Sequence, residues 1–574
     1  MEKALDILHR YWGYNQFRPL QEDIISSIVS GTDTLALLPT GGGKSICFQV
    51  PALMKEGLCL VITPLIALMK DQVQHLRQVG IKAEAIYTGI LHRELDVIFD
   101  NCQFGNYKFL YISPERLQSA EFLRRFKQLP VSMITVDEAH CISQWGYDFR
   151  PAYLKINSIR EFFPNAPVLA LTATATQEVV KDIQLRLTVK GTKPNWNIFQ
   201  KSFVRENLVY VVRRTEDKLA QMLNILSKVN GSSIIYVRNR QKTKETADYL
   251  LKEGISATHF HAGISNQEKD KKQEQWKSGQ IRVMVATNAF GMGIDKPDVR
   301  TVIHLDLPDS IEAYFQEAGR AGRDLQKAYA VLLYNPSDKT KLKKRITDNY
   351  PSTDFILKVY EAAGDWLEVG IGSGLDHTFA FPIDTFCKDK HLPILPTYSA
   401  LQILSLAGYV NYIEETETNP RVQFITEKDQ LYSTPLTTLQ EKIVHALLRS
   451  YTGIFADTVF INENRLAQDL NIMPKRLVDE LITLSRQRII KFIPRLRTPY
   501  LNYPLERQPL QYIKITDDIY KNRQERYVDR LKAILEYAEQ DQFCRSQLLV
   551  SYFGETKSEC CGQCDVCLKK KAKK

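Results

Sequence analysis

Long apolar runs are missing from this chain of 574 residues. The most apolar stretch, GLCLVITPLIALM at 57–69, is short and broken by Pro64, so no membrane span and no membrane partner are expected. The first residues, MEKALDILHRYW, carry acids and have no apolar core, which speaks against a secretory leader. Cysteine is thin over most of the length. Cys47, Cys59, Cys102, Cys141 and Cys387 stand singly, a pattern that suits a reducing compartment and excludes a disulfide framework. With 44% hydrophobic and 25% charged residues, the composition excludes a disordered or collagen-like chain, and the length suggests about three to five domains. The net charge is +10, but the segment KKKAKK at 569–574 supplies five of those charges. The remaining excess is compatible with a nucleic-acid partner and equally with a basic surface that binds nothing.

Against these absences stand short, dense motifs. Residues 34–45 read TLALLPTGGGKS, an apolar run followed by glycines and Lys-Ser. This is the pattern of a buried strand, a phosphate loop and a helix start. Thr40, Gly41, Gly42 and Gly43 would wrap phosphate oxygens with backbone N–H groups, Lys44 would reach the outer phosphates of ATP, and Ser45 would ligate magnesium. Leu38 holds the place of the first glycine in the strict form of this motif, and a chance glycine-rich turn is the alternative. Residues 131–140, VSMITVDEAH, end an apolar run in two carboxylates. Asp137 would share the magnesium and Glu138 would position or deprotonate an attacking water; a solvated acidic turn is the alternative. In EAYFQEAGRAGRD at 312–324, Arg320 and Arg323 are three apart and would share one face of a helix, where they could stabilise a transferring phosphoryl group.

CISQWGYDFRPAY at 141–153 alternates Trp145, Tyr147 and Phe149 before Arg150. One buried strand face is one reading. Gly146, Asp148 and Pro151 favour a loop instead, and aromatics beside an arginine in a loop suit stacking on single-stranded bases. Apolar runs recur through the first two hundred residues and restart at NLVYVVR, which implies two α/β lobes, 1–200 and 201–345, with a nucleotide held between them.

Taken together, these segments resemble superfamily 2 helicases and, within them, the RecQ family of DNA helicases, over about 1–345 and again about 521–568. WGYNQFRPLQEDII resembles the family's adenine-reading motif and implies Tyr14, Arg18 and Gln21 as base contacts. LLPTGGGKSICFQVPAL resembles motif I, in which the family itself lacks the strict first glycine. VITPLIALMKDQV, YISPERL, VDEAH and LALTATAT resemble motifs Ia, Ib, II and III. SIIYVRNR, VMVATNAFGMGIDKPDVR and FQEAGRAGRD resemble motifs IV, V and VI, with Asp295 of motif V implied at the nucleotide. The 141–153 segment resembles the family's aromatic-rich loop, which implies Trp145, Tyr147, Phe149 and Arg150 on DNA and His140 as a relay to the nucleotide site.

The tail SECCGQCDVCLKKKAKK packs Cys560, Cys561, Cys564 and Cys567 into eight residues. The C-x2-C-x2-C run from Cys561 looks like a metal site, and the spacing alone leaves the fourth ligand open between Cys560 and a residue upstream. The pattern C-x16-C-x2-C-x2-C, with CRSQLLVSYFGE and CGQCDVC, resembles the RecQ zinc module. It implies a structural zinc on Cys544, Cys561, Cys564 and Cys567, with Cys560 a bystander. In most family members this module follows the second lobe closely, with a winged helix after it. Here 346–520 intervene, and no winged helix or further domain is expected after the zinc.

Within the intervening stretch, two segments each read as helix, turn, helix and strand. They suggest winged-helix-like modules at 346–435 and 436–520, with Gly408 ending one helix and Pro474 opening another. The second carries Lys475, Arg476, Arg486, Arg488, Lys491, Arg495 and Arg497, which would face duplex phosphates or solvent. A hairpin around RIIKFIPRLRTPYLNYP is a candidate wedge between base pairs.

The expected fold is therefore α/β: two tandem parallel-sheet lobes, an α+β winged-helix-like region, a helical zinc module at 521–568 and a basic tail at 569–574. The resemblance implies an ATP-dependent DNA helicase of 3′→5′ polarity in repair and recombination, using ATP, magnesium and zinc. Its partners would be single-stranded and duplex DNA and single-strand-binding or repair proteins, and it would act as a cytoplasmic, nucleoid-associated monomer. An RNA helicase and an ATP-regulated annealing scaffold are the alternatives.

Overall fold

The computed structural model describes residues 2–572 apart from 40, 88–91, 119, 144, 145, 147, 190, 291–295, 414–419, 427, 432–434, 452, 456, 457 and 495–498. Thr40, Trp145, Tyr147, Asp295, Arg495 and Arg497 therefore lie outside the described residues.

The apolar runs of the first half become strands buried on both faces, which is what β-branched and leucine-rich segments between helices favour. Among the described residues a seven-stranded sheet runs in the order Ala83–Ile86, Phe109–Ile112, Leu58–Ile62, Val131–Val136, Val168–Thr172, Asp33–Leu37 and Trp196–Gln200. Every neighbouring pair is parallel. A second sheet of six parallel strands follows, in the order Ala257–Phe260, Val283–Ala286, Ser232–Tyr236, Val299–His304, Ala328–Tyr334 and Leu208–Arg214. Two parallel-sheet lobes are present as the pattern of runs implied. No helix among the described residues is long and apolar enough to cross a membrane.

The zinc module is part of the second lobe's core and not an appendage to it. Leu531, Ile534 and Tyr537 of the helix Lys521–Glu539, with Leu549 and Phe553 of the following segment, share one apolar cluster with Tyr210, Trp276 and Phe315 of the lobe. Phe553 packs its ring 5.0 Å from Phe203 and 5.1 Å from Phe315. The intervening residues leave and return at one point. Tyr520 donates its hydroxyl to the Pro351 carbonyl at 2.8 Å and stacks edgewise on Tyr350 at 6.0 Å. The helices on either side of the insertion, Ser337–Asn349 and Lys521–Glu539, pack together as though nothing stood between them.

The insertion is nested, not consecutive. The outer module contains the helices Thr353–Trp366, Ile383–Asp389 and Ile394–Leu406 and the antiparallel sheet Thr378–Ala380, Tyr500–Asn502, Asn411–Ile413. Its central strand, Tyr500–Asn502, arrives only after the inner module has been completed, and Leu501 and Tyr503 close the outer core beside Phe381 and Tyr412. The inner module has the helices Thr438–Ser450, Glu463–Asp469 and Pro474–Arg486 and the sheet Val459–Phe460, Arg421–Phe424, Ile490–Ile493. Two modules at 346–435 and 436–520 are thus not what the strand pairing draws: residues near 421–493 interrupt the wing of the outer module. Among the described residues, the two arms of the hairpin expected around 488–504 do not pair with each other, and its expected turn at 495–498 lies outside those residues. Ile490–Ile493 pairs with Arg421–Phe424, while Tyr500–Asn502 pairs with strands of the other sheet. The two segments are buried in different apolar cores, Ile490 and Phe492 in the inner one and Leu501 and Tyr503 in the outer.

Candidate functional site

The phosphate loop turns on Gly43, which caps the helix Lys44–Met54 with φ 78°. A side chain there would be strained by the backbone, and its Cβ, 2.4 Å from Gln21 Nε2, would push that amide away. Gln21 Nε2 donates to the Gly43 carbonyl at 2.9 Å, and its Oε1 accepts from the Arg18 amide at 2.8 Å. Arg18 in turn donates to the Gly41 carbonyl at 2.6 Å. Two of the three residues expected at the adenine, Arg18 and Gln21, thus brace the loop. Tyr14, Arg18, Gln21, Lys44, Ser45 and Asp137 all line one cleft of 1280 Å³.

Asp137 and Glu138 follow the buried strand Val131–Val136. Glu138 sits at φ 47°, ψ 47°, a left-handed conformation that costs a non-glycine residue about 1–2 kcal/mol. That turn points it at Lys44, with Nζ 3.6 Å from Oε1. Burial and the neighbouring Glu138 charge push the Asp137 carboxyl up to about 6. Burial would raise Glu138 as well, but Lys44, His140 and Arg320 together outweigh it and hold that carboxyl below its ordinary value. The pair is split into one carboxylate kept ionised and one eager for a cation. His140 Nδ1 lies 2.9 Å from Thr172 Oγ1 and 3.4 Å from Glu138 Oε2, so it bridges the second motif to the third. Burial lowers its pKa.

Arg320 and Arg323 are not on one helix face. The helix Ile311–Ala318 ends at Gly319, and the arginines occupy the turns beyond it. Gly322 at φ 62° sets that path, since a Cβ on it would meet Asn207 Nδ2 at 2.5 Å and Gln326 O at 2.9 Å. The turns split the pair. Arg323 reaches the nucleotide cleft, its Cγ 3.4 Å from where a Gly41 Cβ would stand. Arg320 is buried beside a second cavity of 460 Å³ between the lobes, which Asp148 and Arg150 also line. The linker residues Arg205 and Asn207, which sequence reasoning passed over, hold this turn by donating to the Gly322 carbonyl at 2.8 and 2.7 Å.

In the aromatic segment, Arg150 is turned inward. It donates to Asp148 Oδ2 at 3.2 and 3.3 Å and to the Pro64 carbonyl at 3.3 Å. Phe149 lies under the Arg523 guanidinium, 5.0 Å from ring centroid to Cζ, and Arg530 donates to the Gly146 carbonyl at 2.9 Å. Neither arginine carried a sequence signal, because both lie on the zinc module's helix, far along the chain.

Cys544, Cys561, Cys564 and Cys567 bring their sulfurs within 4.8 Å of one another, three of them buried. Four converging thiols fit a closed tetrahedral zinc site. Cys560 is exposed and points to Gln547 at 3.2 Å. The buried Arg545 forks onto Asp565 at 3.1 Å through both Nε and NH2, tying the upstream cysteine's helix to the downstream knuckle. Sequence reasoning passed over that clasp, although its two charges stand directly after Cys544 and Cys564.

Comparison with known proteins places family models along the chain: "DEAD/DEAH box helicase" over 18–183, "Helicase conserved C-terminal domain" over 216–324, "RecQ helicase winged-helix domain, Bacteroidota" over 422–494, and "RecQ zinc-binding" over 508–568. The ATP-dependent DNA helicase RecQ of Pasteurella multocida is 42% identical over 344 residues, covering 60% of this chain and 54% of its own length. The probable ATP-dependent DNA helicase RecS of Bacillus subtilis is 41% identical over 343 residues, covering 59% of this chain and 68% of its own. A relative from Acanthamoeba polyphaga mimivirus that carries an RNA-helicase name is 41% identical over 352 residues, covering 61% of this chain and 63% of its own. The chain thus spans little more than half the length of the first of these relatives. The winged-helix model coincides with the inner module, 421–493.

Proposed function

Because the chain belongs to the RecQ family of ATP-dependent DNA helicases, we propose that it hydrolyses ATP to move 3′→5′ along one DNA strand and part the duplex ahead of it. The observation that carries this reading is the Lys44–Glu138 pair facing, across one cleft, an arginine from the other lobe.

In this reading Lys44 holds the outer phosphates of ATP, and Tyr14, Arg18 and Gln21 hold the base. Glu138, kept ionised by its cationic neighbours, orients the attacking water and accepts its proton. Arg323, with Arg320 behind it, neutralises charge growing on the transferred phosphoryl, an effect worth about 10³–10⁵ in rate. Ser45 and Asp137 offer the oxygen donors that suit magnesium, which when bound neutralises charge between the outer phosphates. The four cysteines would hold zinc as a structural clasp. Closure of the lobes on ATP and their parting after hydrolysis would move the strand. Both lobes' contributions come from one chain, which supports action as a monomer; the singly placed free thiols fit a cytoplasmic setting. A role in repair and recombination, on partly single-stranded DNA and alongside strand-binding proteins, follows from the family.

Lys44→Ala is expected to abolish ATP turnover while leaving the circular dichroism spectrum and zinc content intact. Turnover at the wild-type rate would remove this site from the chemistry. The name of the viral relative favours RNA as the second reading, and an RNA duplex belongs among the substrates tried.

A further inference from the structure

The helix Lys521–Glu539 presents Arg523, Arg526 and Arg530 at i, i+3 and i+7, which is one face. All three are half-exposed. The acids of the same helix, Glu525 and Asp529, are exposed elsewhere on it. Among the described residues neither Arg523 nor Arg530 has a carboxylate partner. Arg523 lies over Phe149, and Arg530 donates to the Gly146 carbonyl and, at 3.3 Å, to that of Arg526. Burial lowers the Arg523 pKa, Tyr350 opposes that, and the Arg526 and Arg530 charges add to it. Like charges stacked at this spacing destabilise a helix unless an anion lies on them.

The far side of this helix is fixed. Tyr527 donates to Asp309 Oδ1 of the second lobe at 3.3 Å, and Asp309 also pairs with Arg238 and with Arg345. Leu531 and Ile534 are buried in the lobe's core. The arginine face is therefore mounted rigidly on one lobe while it grips the main chain of a segment on the other. That grip is a single guanidinium on a neutral carbonyl plus a cation over a ring. A phosphate is a stronger acceptor for the same fork than a neutral carbonyl is.

We propose that this arginine face binds the phosphates of a single nucleic-acid strand and that, with no strand on it, it latches the aromatic segment through Gly146 and Phe149. A strand would take the arginines from the segment and release it beside the DEAH motif; the carbonyl of Cys141, the residue after that motif, accepts from the Arg150 amide at 2.9 Å. The binding surface stands by itself; what the latch controls rests on the helicase reading above.

The test uses the full-length, zinc-loaded protein and its Arg523→Gln and Arg530→Gln variants, with zinc content measured in each. Fluorescein-labelled oligothymidine is titrated by anisotropy over a range of KCl, and ATP turnover is followed with and without the oligonucleotide. For each arginine removed, the slope of log affinity against log salt should become shallower by about 0.7. Arg530→Gln should also raise DNA-free ATP turnover and reduce its fold stimulation by DNA, whereas Arg530→Lys should keep the wild-type salt slope. Wild-type slopes in both glutamine variants, at full zinc content, would overturn the binding surface. Unchanged or lower DNA-free turnover in Arg530→Gln would overturn the latch. Were wild-type protein to show no ATP turnover at all, the helicase reading would fail, and the salt slopes would still decide the surface.

Discussion

The helix Ile394–Leu406 of the outer module contains no charged residue in its thirteen positions, and Ile394 and Leu395 at its start are exposed. Its counterpart in the inner module, Pro474–Arg486, opens with exposed Lys475 and Arg476 and ends on Arg486. Both are the last helix of their module, and both back onto a three-stranded antiparallel sheet whose middle strand is the one threaded differently. In the outer module that strand follows the helices; in the inner one, Arg421–Phe424 precedes them. The same packing solution has been reached with the chain threaded differently, and the charge has gone to one copy alone. A helix with cations at its start suits phosphates. An uncharged one suits a mount.

Substitutions in the two modules put this contrast to the test. The largest effect is expected from Leu501→Ala. Leu501 is fully buried in the central strand of the outer sheet, so truncation should cost about 2–5 kcal/mol and loosen the outer core. Leu481→Ala, equally buried in the inner core, should cost a similar amount but leave the outer module's amide protection untouched. Hydrogen exchange resolved by segment separates the two outcomes; loss of protection in both modules from Leu481→Ala would contradict the nesting. Next come Lys475→Glu and Arg476→Glu. Duplex affinity should fall, and the salt slope should flatten by about 0.9 for each phosphate no longer neutralised. Leu395→Lys, at an exposed position of the outer helix, should change neither quantity if that helix faces no phosphate. The smallest effect belongs to an ion pair between the modules. Lys491 pairs with Asp376 at 2.9 Å in a part-exposed setting, so Lys491→Ala should cost about 0.2–1 kcal/mol, read as a small shift in the melting midpoint that disappears at high salt.

What could be read from the sequence was chemistry that needs neighbours in the chain. A phosphate loop must put its glycines beside Lys44 and Ser45, and a metal knuckle must space Cys561, Cys564 and Cys567 closely. The two lobes were legible because parallel strands buried on both faces leave apolar runs. The nested threading was not, because the strand Arg421–Phe424 has the same local pattern whether it precedes or follows its helices, and only tertiary pairing chooses. The turn that separates Arg320 from Arg323 hides behind a sequence that continues a helical pattern up to Gly319. The grip of Arg530 on Gly146 joins residues 384 apart, which no local pattern encodes.

The most direct measurement is strand separation with ATP and magnesium on matched substrates: DNA duplexes bearing a 3′ or a 5′ single-stranded tail, and an RNA duplex with a 3′ tail. Unwinding of the 3′-tailed DNA alone is the expected result, and it would show that a core carrying a nested insertion before its zinc module parts base pairs. ATP hydrolysis stimulated by DNA with no strand separation on any substrate would contradict the proposed unwinding and leave a translocase or an annealing scaffold in its place.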